Sequence, residues 1–243
     1  MLADFSYSEH AGIIALMSLI AATVVFLAYH FGGLRLIQYA ERREANQQPS
    51  LFRAHVLRRL LGFFLMGIVP LLLLIYILNL SPADHGINLR HLRQSSVWIG
   101  ILVPLVVGLN IYFARKPANL KHYPQVRLQE WNIGRLTVNF TSWALYLLGY
   151  EMLFRGFLFF SFYHAMGPTA AVAINVVLYA LAHIPKGRLE VVGAVPFGIV
   201  LCLITIGTGS FFAAFVVHAS MALSNEFIAI RSHPDMRIKS IRL

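Results

Sequence analysis

Seven stretches of the chain are apolar for long enough to cross a bilayer as helices, which takes roughly 20 residues each. They cover 11–29, 60–80, 96–114, a run from near Leu136 past Glu151 to about His164, then 168–183, 191–207 and 211–230. The pattern predicts an all-α fold, a polytopic transmembrane helical bundle of about seven spans. Gly and Pro inside the spans (Pro70, Pro104, Gly193, Pro196, Gly198) predict close helix packing or kinks. The mixed stretch 115–135, with Pro117, Pro124 and Trp131, reads as a surface loop carrying a short interfacial helix. No internal repeat is visible, which removes support for a transporter built from inverted repeats.

Composition agrees. Of the 243 residues, 58% are hydrophobic and 12% charged, against about 45–50% and about 25% in soluble domains. The single cysteine, Cys202, lies in an apolar run, so no intramolecular disulfide forms. The net charge of +10 would suggest nucleic acid in a soluble protein. Here no basic stretch is interleaved with stacking aromatics, and cytoplasmic connections are the better account of the Lys and Arg. The segments 30–59, 115–135, 184–190 and the tail from Arg231 hold 17 of the 20 basic residues, Arg35, Arg58, Arg59, Lys186 and Arg242 among them. With seven spans those four regions share one side, and only Arg90 and Arg93 face the other. The expectation is an N-terminus outside and a C-terminus in the cytoplasm, in a multi-pass protein of the cytoplasmic membrane or its equivalent. The first span is not read as a signal peptide, because the flank MLADFSYSEH carries no Lys or Arg and no small-residue cleavage signal follows.

Charged side chains inside a span cost about 2.5–3.5 kcal/mol even on the lenient insertion scale, so each needs a partner or a task. Glu151 and Arg155 lie four apart in YEMLFRG, on one helical face where they can pair. A buried structural ion pair explains them as well as a reactive site does. His183 ends the fifth span, ahead of IPKGRLE with Glu190, and taken alone it reads as a helix-end residue. His218 sits well inside the seventh span, with Asn225 two turns further along the same face. Taken together, two imidazoles and one or two carboxylates from separate helices suffice to hold Zn²⁺ or another divalent metal with an open water position, and equally to activate water directly. In that picture Arg155 balances the carboxylate and Asn225 donates to a developing oxyanion. His10, His30, His55, His85, His91, His122 and His233 fall in flanks or loops and read as solvated surface; His164 is a weaker candidate. Span arithmetic places Glu151 about 22 Å along its helix from the cytoplasmic end, whereas His183 is close to that face. Convergence then requires helix tilt, a later entry of the fourth span, or an open cavity.

The order Glu-x-x-x-Arg, then aromatic-x-x-x-His, then a helix carrying His after a Gly-rich span resembles the CPBP intramembrane proteases, which include the type II CAAX prenyl endopeptidases and bacterial Abi-type proteins. EMLFRGFLFF, LYALAHIPKG and TGSFFAAFVVHASMALSNE carry the likeness, which covers about 136–230. It implies a protease core at 136–230, after an N-terminal transmembrane region at 1–135 with three spans and basic loops, and before a basic cytoplasmic tail at 231–243. It further implies peptide-bond hydrolysis in a membrane-associated protein or peptide substrate by Glu151, His183 and His218, with Arg155, Glu190 and Asn225 in support. Substrates in that family include C-terminal regions of prenylated proteins. Two positions depart from its motifs: Tyr150 stands where a first Glu is usual, and Ala222 stands where an Asn is usual. These departures keep a second reading open, a non-catalytic relative that binds a partner helix or peptide. A third, from another class, is a bis-histidine haem or ion-conducting bundle on His183 and His218.

Overall fold

The computed structural model describes residues 7–43 and 48–239; residues 1–6 of the N-terminal flank and Arg242 of the tail lie outside them. Helix α1 (Tyr7–Arg43) runs antiparallel to α2 (Gln48–Ile77), with Gly33 against Arg58 and Gly62 against Tyr29. Two π-helical turns, Phe64–Ile68 and Leu73–Ile77, flank Pro70 in α2, where the missing N–H interrupts the i→i−4 ladder. Helix α3 (Leu92–Phe113) and the one-turn α4 (Pro117–Leu120) follow.

The helical run Ile133–Lys186 is 54 residues long, and it doubles back at Gly167. There φ is +80° and ψ 175°, a conformation cheap only for glycine, and Pro168 follows. Asn175 Nδ2 reaches the carbonyl of Phe154 at 2.6 Å, and the Tyr179 and Tyr150 rings lie 5.9 Å apart. In one straight helix those pairs would be about 30 and about 44 Å apart. The run is therefore two legs, α5 (133–166) and α6 (168–182). Helices α7 (Arg188–Thr208) and α8 (Phe212–Ser232) complete the bundle.

Among the described residues, six helical segments are long and apolar enough to cross a membrane when the doubled run is counted once. Its two legs account for the seven passes expected, and the architecture is the all-α bundle. Every residue from 149 to 162 is buried, so α5 is the central helix, enclosed on all sides as a helix of that apolar character must be. The outer faces of α1 (Ile13, Ile20, Val24) and α3 (Val97, Ile101, Leu105) expose their large side chains, as faces turned to lipid do.

Two connections differ from expectation. The basic stretch 30–59 is helical at 30–43 and 48–59; polar helices that project beyond an apolar span leave no hydropathy signal. The stretch 115–135 does contain a short helix, but it is not simply surface. Tyr123, Val126, Leu128 and Trp131 are buried, Trp131 packs edge-on to Phe52 of α2, and strand β1 (Glu130–Trp131) pairs in parallel with β2 (Arg237–Ile238) in the tail.

Where α5 crosses α2, backbone meets backbone. A Cβ on Gly149 would stand 2.9 Å from Phe63 Cα and 3.0 Å from Phe63 O. Gly149→Ala should therefore lower stability by about 1–3 kcal/mol, the usual penalty of overpacking. Thermal unfolding in detergent measures it. A neutral result would mean that the crossing relaxes freely.

Candidate active site

Immediately after Glu151, α5 loosens into a π-helical segment, Met152–Leu158, a local widening that proteins often place at functional sites. Glu151 and Arg155 still pair across it, Arg155 Nη1 donating to Glu151 Oε1 at 3.2 Å, and both side chains are fully buried. A buried guanidinium is always charged and requires an anion; Glu151 supplies it. Arg155 also lies 4.2 Å from the centre of the Tyr179 ring.

The same Glu151 oxygen accepts from Nδ1 of His218 at 2.6 Å. A carboxylate only accepts, so Nδ1 carries the proton and Nε2 keeps its lone pair. His183, at the C-terminal end of α6, is fixed in the same way. Its Nδ1 lies 2.8 Å from the carbonyl of Tyr179, which also only accepts, so its Nε2 is a lone pair too. Both rings pack around Tyr150, at 6.5 Å for His183 and 5.9 Å for His218.

A cavity of about 290 Å³ is walled by His183, His218, Glu190, Asn225 and Ala222. Glu190, in the first turn of α7, accepts from the Tyr123 hydroxyl at 3.1 Å. Burial and that neighbouring carboxylate hold the Tyr123 hydroxyl well above its ordinary pKa, so it stays a donor. The structure thus brings Glu151, Arg155 and His218 into one hydrogen-bonded chain, and His183, His218, Glu190 and Asn225 onto one wall. It does not bring Glu151 onto that wall; Glu151 lies behind His218.

Convergence comes from unequal helix lengths. His183 sits beside Tyr150, about 26 Å along α5 from its first turn. That first part of α5 runs beside the polar half of α2, where Arg59 meets Asn139, so α5 enters the apolar layer late.

As a metal site the donors do not fit. Both Nε2 atoms offer lone pairs, but the third expected ligand, Glu151, gives its Oε1 to His218 and Arg155. Its Oε2, without a hydrogen-bond partner among the described residues, belongs to a side chain that lies behind His218 and off the wall that carries both imidazoles. Among the described residues no group of three or more His, Cys, Asp and Glu side chains lies close enough to hold an ion.

Sequence reasoning missed several residues. Tyr123 and Tyr179 hold site groups in place, and a closed polar ring joins buried Arg59, Asn139 and Glu226 with half-buried Gln125. Glu226 carries the same signal as Glu151, a carboxylate within an apolar span. His85, read as surface, is fully buried with Nδ1 3.1 Å from the Ser81 carbonyl, and desolvation lowers its pKa to about 4.

Residues 132–224 match the family of Rce1-like type II CAAX prenyl endopeptidases. The match bears out the resemblance drawn from the motifs, and it spans Glu151, Arg155, His183, Glu190 and His218. It begins at Asn132, whose side chain accepts from the Arg135 backbone N–H and caps α5, and it leaves α1–α3 outside. No curated protein and no solved structure matches the chain.

Proposed function

We propose that the chain is an intramembrane endopeptidase in which His218, charge-balanced by Glu151, activates water against a peptide bond. The observation that carries this reading is the 2.6 Å contact between Glu151 and His218 Nδ1, with the far side of the ring on a cavity wall. Nε2 takes a proton from water, and the resulting hydroxide adds to the substrate carbonyl. The Glu151 carboxylate stabilises the imidazolium that forms. The Asn225 amide donates to the oxyanion. As the intermediate collapses, Nε2 returns its proton to the departing amine. His183 Nε2 accepts from the same water and orients it, and Glu190 lines the entry. Tyr150 leaves no carboxylate at the position of the usual first Glu, so the charge of Glu151 reaches the water through His218. The substrate is a membrane-associated protein or peptide. By the distribution of Lys and Arg, the mouth of the site faces the cytoplasm.

The test is cleavage of a membrane-anchored reporter peptide by wild type, His218→Ala and His183→Ala, each with and without a chelator. His218→Ala should lose on the order of 10²–10⁴ in rate, the contribution of a positioned general base, and His183→Ala should be strongly impaired. The chelator should change nothing. Full activity in either variant removes that histidine from the mechanism. Activity lost to chelator and restored by zinc would assign the two Nε2 atoms to a metal instead.

A further inference from the structure

A second cavity, of about 410 Å³, lies on the other side of His183, between the α1–α2 hairpin and the α6–α7 turn. Its wall is rich in cations. Arg59 is already engaged by Asn139 and Gln125, and Glu190, which accepts from Tyr123, is one carboxylate set against Arg58, Arg59 and Lys186, which leaves the wall net positive at Arg58 and Lys186. Neither has an ion pair among the described residues. Arg58 lies 5.5 Å from the centre of the Tyr29 ring. Among the described residues, two buried donors on this wall, Arg58 Nε and the Tyr150 hydroxyl, have no hydrogen-bond partner, and buried donors rarely go without an acceptor.

The cavity continues into an apolar groove of about 190 Å³, with which it shares Phe26 and Ala182. The groove runs between α1 and the α5–α6 hairpin, from Phe26 down to Leu19 and Leu158, about 10 Å deeper along α1. It opens to the bundle's exterior, where Thr23, Leu27 and Leu181 are exposed. Arg58 stands where the basic part of α2 gives way to its apolar part, and Lys186 stands just past the apolar run of α6. Both are therefore at the depth of lipid phosphates, with the groove running inward from them.

We propose that cavity and groove together bind one anionic phospholipid, with its phosphate between Arg58 and Lys186 and an acyl chain in the groove beside Phe26. The site combines an anion-binding end at the interface with an apolar channel open sideways to the bilayer, which is the shape and charge of that ligand.

The test is binding of phosphatidylglycerol to the purified full chain in mild detergent, followed by native mass spectrometry beside phosphatidylcholine and inorganic phosphate. Phosphatidylglycerol should bind and phosphatidylcholine much less. Arg58→Gln/Lys186→Gln should weaken it about 30-fold, the equivalent of two basic residues at about 1 kcal/mol each. Thr23→Trp, which fills the groove and leaves the cations, should weaken it as well. Lys186→Gln alone, in a turn where that side chain makes no hydrogen bond among the described residues, keeps the test valid should the Arg58 variant fail to fold. Equal binding of phosphatidylcholine overturns the proposal, as does inorganic phosphate that displaces the lipid at matched concentration. Displacement by a peptide with a free C-terminal carboxylate, but not by its amide, would give the cavity to the substrate instead. The readout is binding and not cleavage, so it stands or falls separately from the proteolytic reading.

Discussion

Glu151→Gln should abolish cleavage, with a loss on the order of 10³–10⁴-fold, the scale seen when the acid behind a catalytic histidine is neutralised. The amide oxygen still accepts from His218 Nδ1, so what disappears is the charge that stabilises the imidazolium. The same change leaves Arg155 buried without its anion, and breaking a buried pair costs about 3–5 kcal/mol. A loss of activity in the single variant therefore mixes chemistry with folding. Glu151→Gln/Arg155→Met separates them, because it removes both charges and puts an apolar chain against Tyr179. The double variant should regain most of the lost thermal stability and stay inactive. Recovery of cleavage along with stability would show that the pair is structural and that His218 works without it.

What the sequence disclosed follows from what hydropathy and charge can report. Apolar runs mark spans, so the bundle was legible, and Gly167 falls between the run ending near His164 and the one that Pro168 opens. A Glu and an Arg four apart in an apolar run are conspicuous because insertion penalises them, and they do pair. Three things were not legible. Polar helices outside the membrane look like loops to a hydropathy reading, which hid the continuation of α1 to Arg43 and the start of α2 at Gln48. The π-helical segment after Glu151 depends on how α5 is gripped by its neighbours, with Asn175 of α6 reaching the Phe154 carbonyl; no local spacing encodes it. Which carboxylate faces water is a rotational matter, and only the packed bundle places Glu151 behind His218 and Glu190 on the cavity wall.

Arg59→Met and Glu226→Gln should each destabilise the protein by about 3–5 kcal/mol, because each strands a buried partner. Arg59 donates to Asn139 Oδ1 at 2.7 Å and to Gln125 Oε1 at 3.2 Å. Asn139 Nδ2 and the Gln125 backbone N–H donate in turn to the two oxygens of Glu226, at 3.4 and 3.0 Å. The ring closes with one cation and one anion that never touch directly, so its energy is shared and its members are coupled. The double variant should be less destabilised than the sum of the singles, by about 1–3 kcal/mol. Urea or thermal unfolding in detergent, read as a double-mutant cycle, measures that term. Strict additivity would mean that the two charges are satisfied independently. The ring has a second consequence, since it ties α2, which lies outside the family match, to α5 and α8, which carry Glu151 and His218. Breaking it should therefore slow cleavage in proportion to the stability lost, by loosening the two helices that hold the carboxylate against the imidazole. An Arg59→Met variant that kept its stability and lost only cleavage would place Arg59 on the substrate rather than on the frame.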